Sequence, residues 1–283
     1  MKVFAFAVAY ALFVPQCMAE PTFPADFPES AKKAFIEKYA PAAKNKAFAI
    51  TEDGKQFYYV FNLPSPGRAA RTASFRCLSA HGRPCLVWMV NDEVLLSAYD
   101  KASDASTKAI TNISVNVGRK SFAGEDTDMG VAVSSTLRDN KAGLSSATPI
   151  APPAGSKLIS TPELVRLYKM EPTLVVVDVL HEDQPKKLTL PKALWLEGAG
   201  WSEGGKDVLI YSNLSIVMRA IVPNENTPIA TYCSGWECWL SRNTAARLVA
   251  MGYKQVYWYR GGLASWKEAK LPLVETPITG QLW

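Results

Sequence analysis

Histidine is nearly missing from this chain: His81 and His181 are the only two among 283 residues. A zinc or haem centre is hard to assemble from so few, and no ligand spacing points to one, so neither a metal nor a cofactor is expected. Massed positive charge is missing too. The net charge is +5, but the basic residues are scattered without a dense Lys/Arg run, which argues against nucleic acid as a partner. Beyond the first twenty residues no apolar segment approaches the length of about 20 residues that crosses a bilayer, so stable membrane insertion is not expected. No internal repeat is visible. Core material, by contrast, is plentiful: 48% of residues are hydrophobic and 20% charged, which excludes wholesale disorder, and the length suits two domains.

What is present begins with a leader. Met1-Lys2 is a short basic start, Val3 to Val14 is almost wholly apolar, and Cys17-Met18-Ala19 offers a small residue before Glu20. This is the layout of a signal peptide cleaved after Ala19, so the mature protein is expected to be periplasmic or secreted. Loss of Cys17 leaves two local pairs, Cys77/Cys85 and Cys233/Cys238, which in an oxidising compartment are candidates for disulfides.

The first folded block reads as α+β. A helix is expected over Glu29 to Tyr39, then a β-hairpin turning at Asp53-Gly54. Ser65-Pro66 opens a helix from about Gly67 to Ser79. A strand follows over Cys85 to Val90, and a Cys77–Cys85 bridge would tie the helix end to it in a structural role. The block resembles small exported domains with an "AFAI…DG" hairpin, here Ala47 to Ile50 and Asp53-Gly54. It contains no constellation of acid, base and nucleophile, and an interaction or substrate-presenting role suits it best. From about Gly118 to Ser156 serine, proline and glycine dominate and read as a linker with a stiff, extended end.

The remainder alternates short β-branched runs with helical stretches. Ser160-Thr161-Pro162-Glu163 is a helix opening, Leu174 to Asp178 is a buried strand, and Ala193 to Leu196, Pro228 to Tyr232 and Val256 to Tyr259 are further strands. Leu240 to Met251 is a helix. The order implies an α/β layer fold around a mostly parallel sheet. Between the strand ending at Tyr232 and the helix near Leu240 lies Cys233-Ser234-Gly235-Trp236-Glu237-Cys238-Trp239. A cysteine at a strand–helix junction faces free amides and the positive end of a helix, which favour its thiolate. A disulfide between Cys233 and Cys238 that staples the loop fits the same spacing, and the sequence leaves both readings open.

Several motifs in this half resemble a rhodanese domain over about residues 156–274. They are Val177-Asp178-Val179, Leu190-Pro191-Lys192-Ala193, Tyr232-Cys233, Gly252-Tyr253, Gly261-Gly262, Trp266 and Leu271-Pro272. Together with the readings above, the resemblance gives a division into a signal peptide (1–19), a small α+β domain (20–118), a linker (119–155) and a rhodanese-like parallel sheet flanked by helices (156–283). The Cys238-Trp239 pair is also similar to an exported rhodanese-like subgroup named for a Cys-Trp motif and associated with pyrroloquinoline-quinone-dependent catabolism. Leu180 departs from the arginine of many relatives, and the cysteine loop lacks their basic residue.

The family implies that Cys233 attacks a sulfane sulfur and carries it as a persulfide to an acceptor. The partners would be a small sulfane-sulfur donor and a thiol acceptor, or a periplasmic protein. Amides from Ser234 to Trp239 would cradle the anion, Gly235 allows the tight turn, and Trp236 and Trp239 would wall out water. Glu237 either opposes a dianionic donor or points to solvent. The absence of a loop arginine argues against phosphatase chemistry. Cys238, with four residues between it and Cys233, is a candidate resolving thiol. That makes a thiol–disulfide relay the alternative enzyme reading. A catalytically inactive binding module using Trp236, Trp239, Trp258 and Trp283 is the non-enzymatic one.

Overall fold

The computed structural model describes residues 23, 27–114 and 119–282. The segment read from the sequence as a signal peptide, with Cys17, and Trp283 at the end lie outside the described residues. The N-terminal block starts with α1 (Glu29–Ala34), which runs on into a wider π-type turn over Phe35–Tyr39. Strands β1 (Ala47–Thr51), β2 (Phe57–Val60), β3 (Cys85–Val90) and β4 (Glu93–Val94) form an antiparallel sheet in the order β2-β1-β3-β4. Helix α2 (Pro66–His81) opens where the Ser65 side chain accepts from Arg68 N and closes at Gly82, whose φ of +61° is the left-handed cap glycine favours. Ala69, Ala70 and Ala73 let α2 lie close on one sheet face, while Phe27, Phe35, Tyr39, Phe48 and Trp88 pack the other. The disulfide Cys77–Cys85 joins the end of α2 to the start of β3.

Helix α3 (Leu96–Thr111) follows β4 in the chain. The second sheet uses β5 (Lys157–Ile159), β6 (Val175–Asp178), β8 (Ala193–Glu197), β9 (Ile229–Tyr232), β10 (Val256–Tyr259) and β12 (Gly280–Gln281). They pair in the order β12-β8-β6-β9-β10-β5, each pair parallel. Between them run α4 (Thr161–Met170), α5 (Asp207–Ile221), α6 (Trp239–Ala250) and α7 (Gly262–Glu268). The short antiparallel pair β7 (Lys186–Thr189) and β11 (Val274–Pro277) stands beside the sheet. This is the α/β architecture with a smaller α+β block that the alternation of elements implied. The parallel strands are buried on both faces and accordingly rich in Val, Ile and Tyr.

The two blocks share a core. Trp195 of β8 and Ile278 are fully buried among Ala69, Ala73, Cys77 and Val87. Arg71 of α2, 2% exposed, bonds Asp183 at 2.9 Å and the Glu182 carbonyl. Residues 119–155, which composition marks as a linker, carry only a short 3-10 turn at Asn140–Ala142. They nevertheless lie closely along the second sheet. Arg138 N donates to Asn243 Oδ1 and its carbonyl accepts from Asn243 Nδ2, both at 2.9 Å, and Asn140 N donates to Ser202 O at 2.8 Å. The segment is a belt as well as a connection, because several of its backbone groups bond to the domain it crosses.

Candidate active site

β9 lies between β6 and β10, with Tyr232 level with Asp178 on one side and Tyr259 on the other. The chain therefore leaves the middle of the sheet at its C-terminal edge, where ligands are met in open α/β sheets. Cys233 is the next residue. Five residues on, Cys238 occupies the N-cap position of α6. Cys233 and Cys238 are bonded as a disulfide with Cα atoms 6.1 Å apart, and are 1% and 6% exposed. Ser234 and Glu237 are exposed, Gly235 and Trp236 half-buried, and Trp239 buried. Glu237 thus takes the solvent-facing alternative of the two the sequence left open.

The loop is fixed from beneath by Gly261-Gly262. Leu263 N donates to Cys233 O at 2.9 Å and Ala264 N to Ser234 O at 2.8 Å, so the first amides of α7 find their acceptors in the cysteine loop. Gly262 has φ +55°, and a Cβ there would collide with the Cys233 carbonyl and stand 2.8 Å from Gly235 N. The left-handed position that shapes this turn is Gly262; Gly235 has no positive φ. Of the loop amides, Cys238 N is committed to Gly235 O at 3.1 Å and Trp239 N to Leu144 O at 3.0 Å. Those of Ser234 to Glu237 are the ones left to face an anion among the described residues.

Asp178 anchors the strand end. Its carboxylate, fully buried, accepts from Tyr232 Oη at 2.5 Å, Lys187 Nζ at 2.9 Å and Leu180 N at 2.9 Å. Burial, reinforced by the Asp178 charge, pushes the Tyr232 phenol well above its usual value, so the hydroxyl is the donor. Tyr232 Oη in turn accepts from Leu190 N at 3.0 Å.

The belt closes over the loop. Ser145 pairs with Cys238 as an isolated antiparallel bridge, and Trp239 Nε1 donates to Ser146 Oγ at 3.1 Å. Thr148 N and Oγ1 both donate to the Trp236 carbonyl, at 3.1 and 2.6 Å. Thr148 is held by Arg260, whose guanidinium also lies 5.9 Å from the centroid of the Trp236 ring. Glu125, 2% exposed, accepts from Thr161 N and Oγ1 and from Phe122 N. Desolvation raises its carboxyl above the usual value against the lowering effect of those bonds.

The structure thus brings together all seven loop residues read from the sequence, Cys233 through Trp239. Cys77 and Cys85 are bonded to each other in the other block, where Cys85 borders a cavity of about 630 Å³ lined by α2, α3, β8 and α5. Arg260, Thr148 and Glu125 were missed. The loop has no arginine of its own, but Arg260 supplies a cation from the end of β10; it stands next to the Gly261-Gly262 pair read from the sequence and was itself a visible, unused signal. Trp258 is fully buried with Nε1 on Ser241 Oγ at 3.0 Å. Neither it nor Trp239 offers the exposed surface that the binding-module reading drew on.

The arrangement holds two thiols able to interconvert with a disulfide, at a helix N-terminus that favours the anion of whichever is free. Residues 160–269 match the family model described as a rhodanese-like domain. No curated protein matches the chain. Among solved structures, the chain is similar to a thiosulfate sulfurtransferase from Pseudomonas aeruginosa, at 17% identity and a TM-score of 0.34. That match covers 45% of this chain and 22% of the other, so it spans about a fifth of the neighbour's length. The chain is also similar to a polysulfide-sulfur transferase homodimer from Wolinella succinogenes, at 16% identity and a TM-score of 0.31, covering 43% of this chain and 80% of that one. On the family match and the parallel sheet that carries the cysteine loop, residues 160–269 are a rhodanese-like domain.

Proposed function

We propose that the protein is an exported sulfurtransferase-like carrier in which Cys233 takes up sulfane sulfur and Cys238 resolves it. The observation that carries this reading is the pair itself: two sulfurs bonded in one loop at the C-terminal end of the central strand of a rhodanese-like domain. In the reduced protein the Cys233 thiolate attacks the outer sulfur of a donor such as thiosulfate or a polysulfide. The donor's S–S bond breaks, the leaving group departs as sulfite or a shortened polysulfide, and Cys233 becomes a persulfide. An acceptor thiolate can remove the outer sulfur. Alternatively the Cys238 thiolate attacks Cys233 Sγ, expels hydrosulfide and forms the Cys233–Cys238 disulfide. An external dithiol then reduces that disulfide, and the cycle restarts.

Two disulfides among the described residues support an oxidising compartment, and the Cys238-Trp239 pair supports a place in the exported Cys-Trp subgroup. A sulfur donor with a thiol acceptor or a periplasmic protein are the partners this chemistry requires.

Intact-mass analysis with peptide mapping tests the reading. Reduced protein exposed to polysulfide should gain one sulfur on Cys233. Cys233→Ser should gain none, and Cys238→Ser should hold the added sulfur longer. Sulfur retained by the Cys233→Ser protein refutes the carrier role. A Cys238→Ser protein that gains no sulfur on Cys233, while the wild type only loses two hydrogens linking Cys233 to Cys238, favours a thiol–disulfide relay.

A further inference from the structure

Arg260 is 1% exposed, and each of its four hydrogen bonds goes to an uncharged oxygen. A buried charge resting on neutral acceptors is costly unless they are well placed, and all of these belong to the belt. They are Thr148 Oγ1 at 3.0 Å, Thr148 O at 2.9 Å, Glu125 O at 3.0 Å and Thr127 O at 2.9 Å. Thr148 faces both ways. Its hydroxyl accepts from Arg260 Nε and donates to Trp236 O, and its amide donates to the same carbonyl. Trp236 lies between the two cysteines in sequence. Leu144 and Ser145 hold the far end of the loop through Trp239 N and Cys238. Glu125 returns the grip, carrying its carboxylate from the belt to the first residue of α4.

We propose that Arg260 is a positioning residue for the cysteine pair: through Thr148 it holds the Trp236 carbonyl and keeps the loop curled so that Cys233 and Cys238 stay within bonding distance. The inference rests on the reading that this pair cycles between dithiol and disulfide. The belt sets the effective concentration of one thiol at the other. A tight belt favours the disulfide and rapid resolution, and a loosened one leaves a longer-lived dithiol or persulfide.

Equilibration of the full chain with glutathione tests this: protein dithiol plus oxidised glutathione gives protein disulfide plus two reduced glutathiones. Alkylation and peptide mapping score Cys233–Cys238 apart from Cys77–Cys85. Thr148→Val and Arg260→Lys should each lower the equilibrium constant at least about tenfold, a rise of about 30 mV in potential. The double variant should fall no further than the worse single one, because both act along one path. Val165→Ala, on the buried face of α4, should lower the melting temperature and leave the constant unchanged. A constant within about twofold of wild type in both belt variants overturns the proposal, as does an equal fall in Val165→Ala. Wild-type protein that forms no Cys233–Cys238 disulfide at any glutathione ratio overturns the redox reading of the pair as well.

Discussion

Replacing Tyr232 by Phe removes one oxygen from the residue that immediately precedes Cys233, and the structure sets the size of the effect. The hydroxyl donates to the buried Asp178 carboxylate at 2.5 Å and accepts from Leu190 N at 3.0 Å. A hydrogen bond to a charged group is worth about 1.5–3 kcal/mol, and a stranded buried amide costs about 1–3 kcal/mol. Asp178 keeps Lys187 and Leu180 as partners, so part of the first loss is recovered. A total of about 3–4 kcal/mol follows, which for a protein of this size lowers the melting temperature by roughly 6–16 °C. Calorimetry and urea titration, with disulfides intact, measure it. A cycle with Asp178→Asn should show a coupling of about 1–3 kcal/mol, since the two groups are in contact. A loss below about 0.5 kcal/mol would refute the view that Tyr232 and Asp178 together lock the strand end beneath the cysteine loop.

Three further outcomes follow from particular atoms. Glu125 has a carboxyl raised mainly by desolvation; a raised acid contributes stability that is present below its unfolded value and lost as pH rises through the folded one. Stability of Glu125→Gln relative to wild type should therefore improve from acid towards neutral pH, and parallel stability–pH curves would remove the buried carboxylate's part in anchoring the belt. Gly262→Ala must fit a Cβ against the Cys233 carbonyl at φ +55°. It should cost at least about 2 kcal/mol in urea titration, and a neutral result would contradict the close approach. Lys192 sits at φ +57°, so Lys192→Gly should stabilise the protein by about 0.5–1 kcal/mol, with an unchanged or lower melting temperature as the refuting observation.

Local sequence carried much of the fold. The Ser65 cap and Gly82 bound α2, the Ser160–Glu163 box starts α4, and β-branched runs mark β6 and β9, because each depends on residues within a turn or strand of one another. Helices α3 and α5 gave weaker signals: Leu95 and Lys206, at their N-cap positions, provide no capping side chain. The cysteine loop was legible for the same local reason, as a strand, a thiol and a helix in succession. Its surroundings were not. Arg260 reaches Thr148 across 112 residues of chain and Thr161 meets Glu125 across 36, and neither contact leaves a pattern of spacing or hydrophobic period. A stretch rich in serine, proline and glycine states only that it will not form regular structure. Whether it hangs free or binds a domain's edge depends on the hydrogen-bonding groups it meets there, and those exist only once the sheet has assembled. Sequence alone determined the central strands and the helices with clear caps, the mostly parallel sheet and the position of the thiols; the tertiary structure decided the remaining elements, the burial of the thiols, their bonding to each other and the belt that covers them.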